Sequence, residues 1–350
     1  MTIILNIILF IFILGIIVFI HEFGHFIFAK LNGVYVYEFA IGMGPKLLSK
    51  KGKETEYTFR AIPIGGFCQL AGEEVDEEEM KKIPKNRRLQ DKKPWQRFLI
   101  MFFGAGNNFI SAILIIFFIS LIWGGTSMTP KISSTETNSP AAEVGLEKDD
   151  IILKINNHKI STIDDVSLYL TIANHDKNTK IEVKKPDGTI KNYNVLPEKV
   201  TKNKKTAYVY GIGLRQKKTY GLVNAFKYTY KKTKSIFKQM YITIGYLFTG
   251  GIKVNQLSGP VGIYSVVGEQ RKAGLSSILY LIAFLSINVG VINLLPLPAF
   301  DGGHILFIII EKIKGSPVDS KTENIIHSIG LMLLMLLMIY ITFNDILKLF

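Results

Sequence analysis

The chain has 350 residues, of which 48% are hydrophobic, and its mean hydropathy is +0.26. This composition is typical of a membrane protein that carries one extramembrane module. The net charge of +14 does not indicate nucleic-acid binding, because much of it is concentrated beside one apolar segment. The single cysteine, Cys68, excludes an internal disulfide.

Four apolar segments are long enough to cross a bilayer as helices. The first has no charged side chain, and it lacks both the basic start and the small-residue cleavage site of a signal peptide, so we expect it to be retained. Four spans place both chain termini on the same side of the membrane. In chain order the segments are Ile3–Ile20, Phe98–Trp123, Ser276–Leu295 and Ile325–Phe343.

The distribution of positive charge predicts the orientation of these spans. Eight basic residues crowd the N-terminal end of the second span, whereas only Lys131 is basic between Gly124 and Pro140 on its other side. Loops rich in Lys and Arg stay in the cytoplasm, so we expect the preceding loop to be cytoplasmic and the following module to be outside. The eight residues are Lys81, Lys82, Lys85, Arg87, Arg88, Lys92, Lys93 and Arg97.

The most informative motif, His21-Glu22-Phe23-Gly24-His25, lies at the end of the first apolar segment. Residues i and i+4 share one face of a helix, so His21 and His25 can bind one metal ion. Glu22 would stand beside that metal, where a carboxylate can take a proton from water. Such groups are costly in a membrane unless they face an interior or wet cavity. The pattern also arises by chance, but it favours a metalloprotease site within the membrane.

Two histidines do not complete a catalytic zinc site, which usually has a third protein ligand. Asp301 is the best candidate, because Pro296 and Pro298 break the helix just before it. Irregular backbone at membrane depth is tolerated mainly where it lines an enclosed or wet site. Asp301 could instead cap a helix over Gly302–Lys314. With the histidine pair present, we favour the ligand role.

Strand-like sequence follows the first span. Val34–Phe39 and Glu56–Ile62 are rich in β-branched and aromatic residues, with a Lys/Gly turn between them. The segment Glu73–Lys93 is dense in charge and is predicted to be a solvated linker.

Beyond the second span, Thr126–Leu196 has the pattern of one small mixed domain. It contains a short helix within residues 138–146, a strand within 148–156, a helix over Ile163–Ala173, and a hairpin of residues 180–184 and 190–196.

Leu222–Phe248 is amphipathic, with Leu222, Phe226 and Ile236 on one face and lysines on another. It could lie on the bilayer surface or form a core-facing helix of the outer domain.

Together these motifs closely resemble the site-2 protease family of intramembrane zinc metalloproteases, in particular its bacterial regulator-of-sigma-protease type. The resemblance covers nearly the whole chain and rests on the His21–His25 motif and on Asn293–Gly303. The outer domain resembles a single PDZ domain. Further support comes from Gly42-Met43-Gly44-Pro45, Asn107-Asn108-Phe109 and Ser258-Gly259-Pro260.

The resemblance implies a polytopic α-helical membrane protein with four transmembrane helices, a membrane-associated β-hairpin or sheet region, and one extracytoplasmic α+β PDZ-like domain. The expected boundaries are the first span with the histidine motif (1–33), a cytoplasmic β-rich loop with a charged linker (34–96), the second span (97–124), the PDZ-like domain (125–200), an amphipathic interfacial segment (201–273), the third span with the Asp-Gly-Gly motif (274–314), and the fourth span with the C-terminus (315–350).

The resemblance also implies residue roles. His21, His25 and Asp301 would bind Zn²⁺, and Glu22 would act as the catalytic base. The amides of Asn288 and Asn293 match positions that engage substrate, although hydrogen bonding between helices is an equal alternative. The loop of Gly42, Met43 and Gly44 would belong to a hairpin that holds the substrate as an added strand. His304 directly follows the Asp-Gly-Gly element and could tune the site, but we favour a structural role for it, as for His327.

The sequence therefore predicts a zinc endopeptidase in the cytoplasmic (inner) membrane, with its active site towards the cytoplasm. Its partners would be the lipid bilayer and single-span membrane proteins already trimmed by an upstream protease, such as anti-sigma factors or signal-peptide remnants. The PDZ-like domain could bind a new C-terminus or exclude untrimmed substrates by size, and we favour exclusion. A non-catalytic PDZ-bearing scaffold and a metal transporter are the alternatives, and neither explains Glu22 together with all three ligands.

Overall fold

The structure is a computed structural model that describes residues 2–73, 82–202, 205–214, 217–251 and 259–347. Within this part of the chain, four helices are long and apolar enough to cross a membrane. The prediction of four spans is therefore confirmed, and the protein is a multi-pass membrane protein. The four are Ile3–Leu31, Pro94–Trp123, Leu275–Asn293 and Lys321–Leu347.

We number the elements in chain order. The helices are α1 (Thr2–Leu31), α2 (Pro94–Trp123), α3 (Pro140–Glu143), α4 (Ile163–Thr171), α5 (Leu222–Phe248), α6 (Pro260–Ala273), α7 (Leu275–Asn293), α8 (Asp301–Lys314) and α9 (Ser320–Leu347). The strands are β1 (Val36–Lys51), β2 (Glu56–Leu70), β3 (Gly125–Thr126), β4 (Ile132–Thr135), β5 (Ile151–Ile155), β6 (His158–Lys159), β7 (Thr179–Lys184), β8 (Ile190–Val195), β9 (Glu198–Lys202), β10 (Lys205–Val209), β11 (Ile212–Leu214) and β12 (Lys218–Thr219).

The chain divides into two compact units. The first comprises Met1–Ile115 and Val254–Phe350, and the second comprises Ile116–Lys253. The second unit is thus larger than the predicted domain of residues 125–200 and takes in the amphipathic helix α5.

In the first unit, α1 is held by an apolar cluster. Ile13 and Ile17 of α1 are almost fully buried against Val267 of α6 and against Leu281 and Ile282 of α7. A helix that is apolar all round must bury its sides in protein or in lipid. This packing therefore leaves only part of α1 for the membrane.

Helix α6 has no counterpart among the predicted elements, although Gly259-Pro260 is a recognisable helix start. The buried carboxylate of Asp345, in α9, accepts hydrogen bonds from the backbone N–H groups of Gly259 and Gly262 at 2.7 and 2.9 Å. A carboxylate at this position also complements the positive end of the helix dipole. Ser258, part of the same family-like motif, lies outside the described residues.

Strands β1 and β2 pair with each other twice. Residues 38–41 of β1 pair with residues 66–69 and also with residues 56–59 of β2. A strand has two hydrogen-bonding edges, so these partners lie on opposite sides of β1. The pairing makes a sheet with residues 46–51 and 66–69 as its outer segments. Both strands bend at glycines with positive φ angles: Gly42 (87°), Gly44 (83°) and Gly65 (84°).

The predicted linker is packed where the structure describes it. Leu89 is only 6% exposed in a cluster with residues of α1 and of the sheet. Hydrogen bonds from Arg87 and Lys30 lower the pKa of Glu54 to about 2. The bond from Arg87 also connects the turn between β1 and β2 to this segment. The expectation of a fully solvated linker is therefore wrong for this part, and residues 74–81 lie outside the described residues.

In the second unit, strands β6, β5, β7 and β8 form an antiparallel sheet in that order. The short helices α3 and α4 form where the sequence predicts them, and α4 begins with a capping box made by Thr162 and Asp165. Helix α5 packs on this module through Ile242, which contacts its apolar core, and through an ion pair from Lys238 to Asp165 at 2.7 Å. The predicted core-facing role fits one side of α5.

The outer side of α5 is exposed and partly aromatic, with Phe226, Tyr230, Tyr241 and Phe248 all more than half exposed. This face leaves open the alternative that the helix also touches a bilayer surface.

A buried ion pair stabilises the second unit. The Lys185 ammonium lies 3.0 Å from a carboxylate oxygen of Asp150, which is fully buried, and 3.0 Å from one of Glu147. Burial lowers the pKa of Lys185, but these two carboxylates outweigh it and raise the pKa above its ordinary value. Lys185 is therefore charged at neutral pH.

We predict that Lys185→Met destabilises this module by about 3–5 kcal/mol, because the change leaves the Asp150 charge buried without its partner. The measurement is hydrogen exchange of strands β5 and β7 in the full chain. Lys184→Met, at the exposed neighbouring position, is the matched control. Equal protection in the two variants would contradict the assigned role of the ion pair.

Candidate active site

Two buried histidines and a partly buried carboxylate, from the two ends of the chain, converge in the first unit. The Nε2 atoms of His21 and His25 are 3.3 Å apart, and the Oδ2 atom of Asp301 lies 3.3 Å from the first and 3.4 Å from the second. Ligands about 2.0–2.1 Å from a tetrahedral zinc ion are separated by about 3.3–3.4 Å. These three side chains could therefore hold one such ion with a position to spare.

The donor set also fits a metal chemically. Oδ2 of Asp301 is buried and has no hydrogen-bond partner within the described residues. A buried carboxylate oxygen without a donor is costly, and a cation at the centre of the triangle would satisfy it. Two imidazoles and one carboxylate are a usual zinc ligand set.

A close crossing of α1 and α2 positions the histidines. A Cβ atom added at Gly24 would lie 2.0 Å from the carbonyl oxygen of Phe103, and one added at Gly104 would lie 2.2 Å from Nε2 of His25. Only glycine fits at either position. The histidine pair therefore packs directly against the backbone of α2.

Helix α2 also orients the two rings. Nδ1 of His25 donates to the carbonyl of Ile100 at 2.9 Å, and the carbonyl of Gly104 interacts with His21. A hydrogen on Nδ1 leaves the lone pair on Nε2, the nitrogen that faces the triangle. The side-chain nitrogen of Asn108 lies 3.3 Å from Nδ1 of His21. If the amide is rotated by 180°, Oδ1, which has no partner among the described residues, accepts the hydrogen on Nδ1 of His21. The amide of Asn107 donates to the carbonyl of Ile20 at 2.6 Å.

The break between α7 and α8 positions Asp301. It is the first residue of α8, and Phe300 is the N-cap, so the alternative of an N-capping Asp301 does not describe the structure. A Cβ atom added at Gly302 would lie 2.2 Å from the carbonyl oxygen of Leu295. The Asp-Gly-Gly sequence thus lets the start of α8 pack tightly on the preceding loop. Ala299, in this loop, has a strained φ of 72°.

The triangle opens into a chamber of about 380 Å³. Glu22 lines it beside the histidines, and the edge segment of β2 forms part of its wall. A Cβ atom added at Gly66 would lie 3.7 Å from Cγ of Glu22, and the backbone of Cys68 interacts with the Glu22 carboxylate. Chemically, the chamber combines a potential metal site, a carboxylate beside it and an outer segment of the sheet.

The predicted substrate residues are placed differently from one another. Asn293 lines the chamber, whereas Asn288 is outside its lining and has a buried Oδ1 with no partner among the described residues. Gly42, Met43 and Gly44 form the bend in β1 and do not line the chamber.

Several chamber residues were not identified from the sequence. They share no motif, because they come from five separate segments that only the fold brings together. They are Val18, Phe67, Cys68, Leu70, Glu73, Met101, Val289, Ala299 and, as a site residue, His304.

Comparison with known proteins relates this geometry to a family. The profile of the family described as peptidase family M50 matches residues 9–337. The chain is 33% identical to the regulator of sigma-W protease RasP of Bacillus subtilis, with 92% of this chain and 93% of that protein covered. That alignment runs over 398 positions, more than the 350 residues here, so RasP contains residues that this chain lacks.

Two clostridial proteins with the provisional name of zinc metalloprotease are also similar. The one from Clostridium acetobutylicum is 36% identical, covering 91% of this chain and 90% of its own, and the one from Clostridium perfringens is 38% identical with 91% of each chain covered. The predicted family, the metalloprotease activity and the use of zinc are thereby confirmed. The chain belongs to peptidase family M50, the site-2 proteases, and is an intramembrane zinc metalloprotease.

Proposed function

We propose that His21, His25 and Asp301 hold the zinc ion and that Glu22 is the catalytic base for cleavage of single-span membrane proteins. The observation that carries this proposal is the triangle of ligand atoms at 3.3–3.4 Å beside Glu22. When bound, zinc supplies Lewis-acid polarisation of the peptide carbonyl and acidifies water.

Glu22 moves the protons of the reaction. Its carboxylate accepts a proton from the attacking water and later gives one to the leaving nitrogen. It follows His21 on α1 and lines the same chamber as the ligands. The carbonyls of Ile100 and Gly104 keep both imidazoles in the tautomer that this arrangement needs.

The substrate must be unwound before it is cut. A transmembrane helix satisfies its own backbone hydrogen bonds, and unwinding in an apolar environment leaves them unpaired. Residues 66–69 of β2 form an outer segment of the sheet and lie against the chamber. Their outer edge would bind the unwound substrate as an added strand and replace the lost hydrogen bonds, with the substrate taking the place of Glu22 at the Cys68 backbone.

The other predicted substrate residues have secondary parts in this proposal. Asn293, in the chamber lining, would hold substrate backbone, and the Asn288 amide would turn to a substrate or to a neighbouring helix. The bend at Gly42, Met43 and Gly44 would act indirectly, because it curves β1 so that residues 66–69 can lie beside it.

The second unit is proposed to be a PDZ-like domain outside the cell membrane, with the active site nearer the cytoplasm. The cluster of basic residues before α2 supports this orientation. Substrates would be proteins already trimmed by another protease, such as anti-sigma factors or signal-peptide remnants, and the domain would exclude untrimmed ones. One relative is named as a regulator of sigma-W, which supports the anti-sigma class.

The roles of the base and of the ligand are separable by mutation. We predict that Glu22→Gln lowers the cleavage rate by about 10²- to 10⁴-fold while zinc content stays stoichiometric, because only the proton acceptor is lost. Asp301→Asn should lose both zinc and activity. The measurements are metal analysis of the purified variants and cleavage of a single-span substrate in liposomes. Cleavage by Glu22→Gln at the parent rate would overturn the assignment.

The contact between α1 and α2 is predicted to control zinc affinity. Gly104→Ala places a methyl group where Nε2 of His25 now lies, so His25 must move and zinc affinity should fall by about 10- to 100-fold. Gly106→Ala is the matched control, because its new methyl group would meet only phenylalanine side chains, the nearest atom at 3.1 Å. Competition with a chelator measures both affinities. Equal affinities would show that the crossing does not position the ligand.

The added-strand geometry can be tested through the chain's only cysteine. Burial raises the pKa of the Cys68 thiol, so cross-linking needs long oxidation. In the Glu22→Gln background, substrates with one cysteine at successive positions should form disulfides with Cys68 at alternate positions, because strand side chains alternate. Cys68→Ser is the control. A spacing of three or four positions would indicate a bound helix and contradict the proposal.

A further inference from the structure

His304 stands one helical turn beyond a proposed zinc ligand. Asp301 and His304 are residues i and i+3 of α8, so their side chains lie on the same face of the helix. His304 lines the 380 Å³ chamber together with Glu22 and Asn293. It is not part of the group of ligand atoms that approach one another within 4.8 Å. It therefore lines the same chamber as the proposed reacting groups without belonging to the metal triangle.

Two residues of α9 hold the ring of His304 in one orientation. Its Nδ1 lies 3.2 Å from Oε1 of Glu323, in α9. One face of the ring stacks on His327, with the ring centroids 3.9 Å apart and the planes 13° from parallel. His327 in turn accepts a hydrogen bond at its Nδ1 from the backbone N–H of Ala299 at 3.0 Å. Because Nδ1 faces Glu323, Nε2 is the nitrogen left for a substrate.

These three side chains do not make a convincing second metal site, although they could each offer a ligand atom within 4.8 Å of the others. The hydrogen bond from Ala299 occupies the lone pair on Nδ1 of His327, so Nε2 of that ring carries the hydrogen and has no lone pair for a metal. Stacked parallel rings also aim their nitrogens in parallel planes. The arrangement is better suited to fixing one imidazole than to binding a cation.

The Glu323 carboxylate at Nδ1 favours a His304 ring with a hydrogen on both nitrogens. The carboxylate accepts the hydrogen of Nδ1, which leaves Nε2–H as the other donor of the ring. The His304 side chain is 36% exposed although it lies between α8 and α9, and the chamber is one of the spaces to which it is exposed. A fixed cationic donor beside a buried reaction site can stabilise developing negative charge without reorganising.

We propose that His304, oriented by Glu323, donates a hydrogen bond from Nε2 to the oxygen of the peptide carbonyl under attack. This role rests on the proposed function of Glu22 and the metal triangle. Water adds to the carbonyl carbon, the π electron pair moves onto the oxygen, and Glu22 takes the water proton. When the carbon–nitrogen bond breaks, the pair returns to the carbonyl and that proton goes to the leaving nitrogen. His304 keeps its own hydrogens throughout.

The test combines kinetics with binding of an anionic tetrahedral mimic. In the full chain, His304→Phe keeps a flat ring but removes the donor, and kcat should fall by about 10²- to 10³-fold with KM and zinc content unchanged. Binding of a peptide phosphonate should weaken by a similar factor, whereas binding of the cleaved peptide product should not change. His304→Arg should recover part of kcat, because it restores a cationic donor.

Two further variants separate orientation from charge and from folding. Glu323→Gln keeps an acceptor for Nδ1 but removes the negative charge, and kcat should fall by about tenfold. Asp319→Asn removes a carboxylate near the same end of α9. Within the described part of the chain, this carboxylate accepts side-chain and backbone hydrogen bonds only from Thr322, so the variant should behave as the parent.

Each outcome has one meaning. Parent-like kcat or parent-like phosphonate binding in His304→Phe overturns the proposal, and so does loss of zinc, which would make His304 a support for the ligands. None of these results affects the proposed function, which is tested separately by Glu22→Gln and by cleavage without zinc.

Discussion

Two imidazoles and a carboxylate are buried here among apolar helices, and the rest of the first unit depends on how that burial is compensated. Groups of this kind are expensive at membrane depth unless they have partners. The backbone of α2 partners the outer nitrogens of His21 and His25, and the centre of the triangle is left for a cation. In the proposed function, the backbone of α2 and a metal ion at the centre of the triangle together compensate for this burial.

Close backbone contact makes this combination accurate. Glycines at Gly24 and Gly104 bring α1 and α2 together, and Gly302 does the same for α8 and the loop before it. In each case a single methyl group would push backbone or ligand aside. Helices that are almost uniformly apolar have few side chains that specify one arrangement. The lack of a side chain at these glycines therefore determines how the helices pack as much as the side chains at other positions do.

The parts of the site that the sequence predicted are those encoded locally. The spacing of His21 and His25 follows from the helical repeat, and the helix break before Asp301 follows from two prolines. The four spans follow from length and hydropathy alone. The convergence of the two ends was inferred from chemistry, since a two-histidine motif needs a third ligand.

What escaped prediction depends on contacts distant in sequence. The double pairing of β1 and β2 needs two bends whose effect only the complete sheet reveals. No role was predicted for Asp345, because its hydrogen bonds to the start of α6 join residues more than 80 positions apart. The position of His304 was known, but its orientation depends on Glu323, which belongs to another helix.

The narrow chamber beside the outer segment of β2 has a consequence for inhibitor design. Its volume of about 380 Å³ is near the lower end of the range for small-molecule sites. Bulky helix mimics would not enter it. A short extended peptidomimetic, rigid along its backbone and ending in a zinc-chelating group, would match both the strand edge and the triangle, and would lose little conformational entropy on binding.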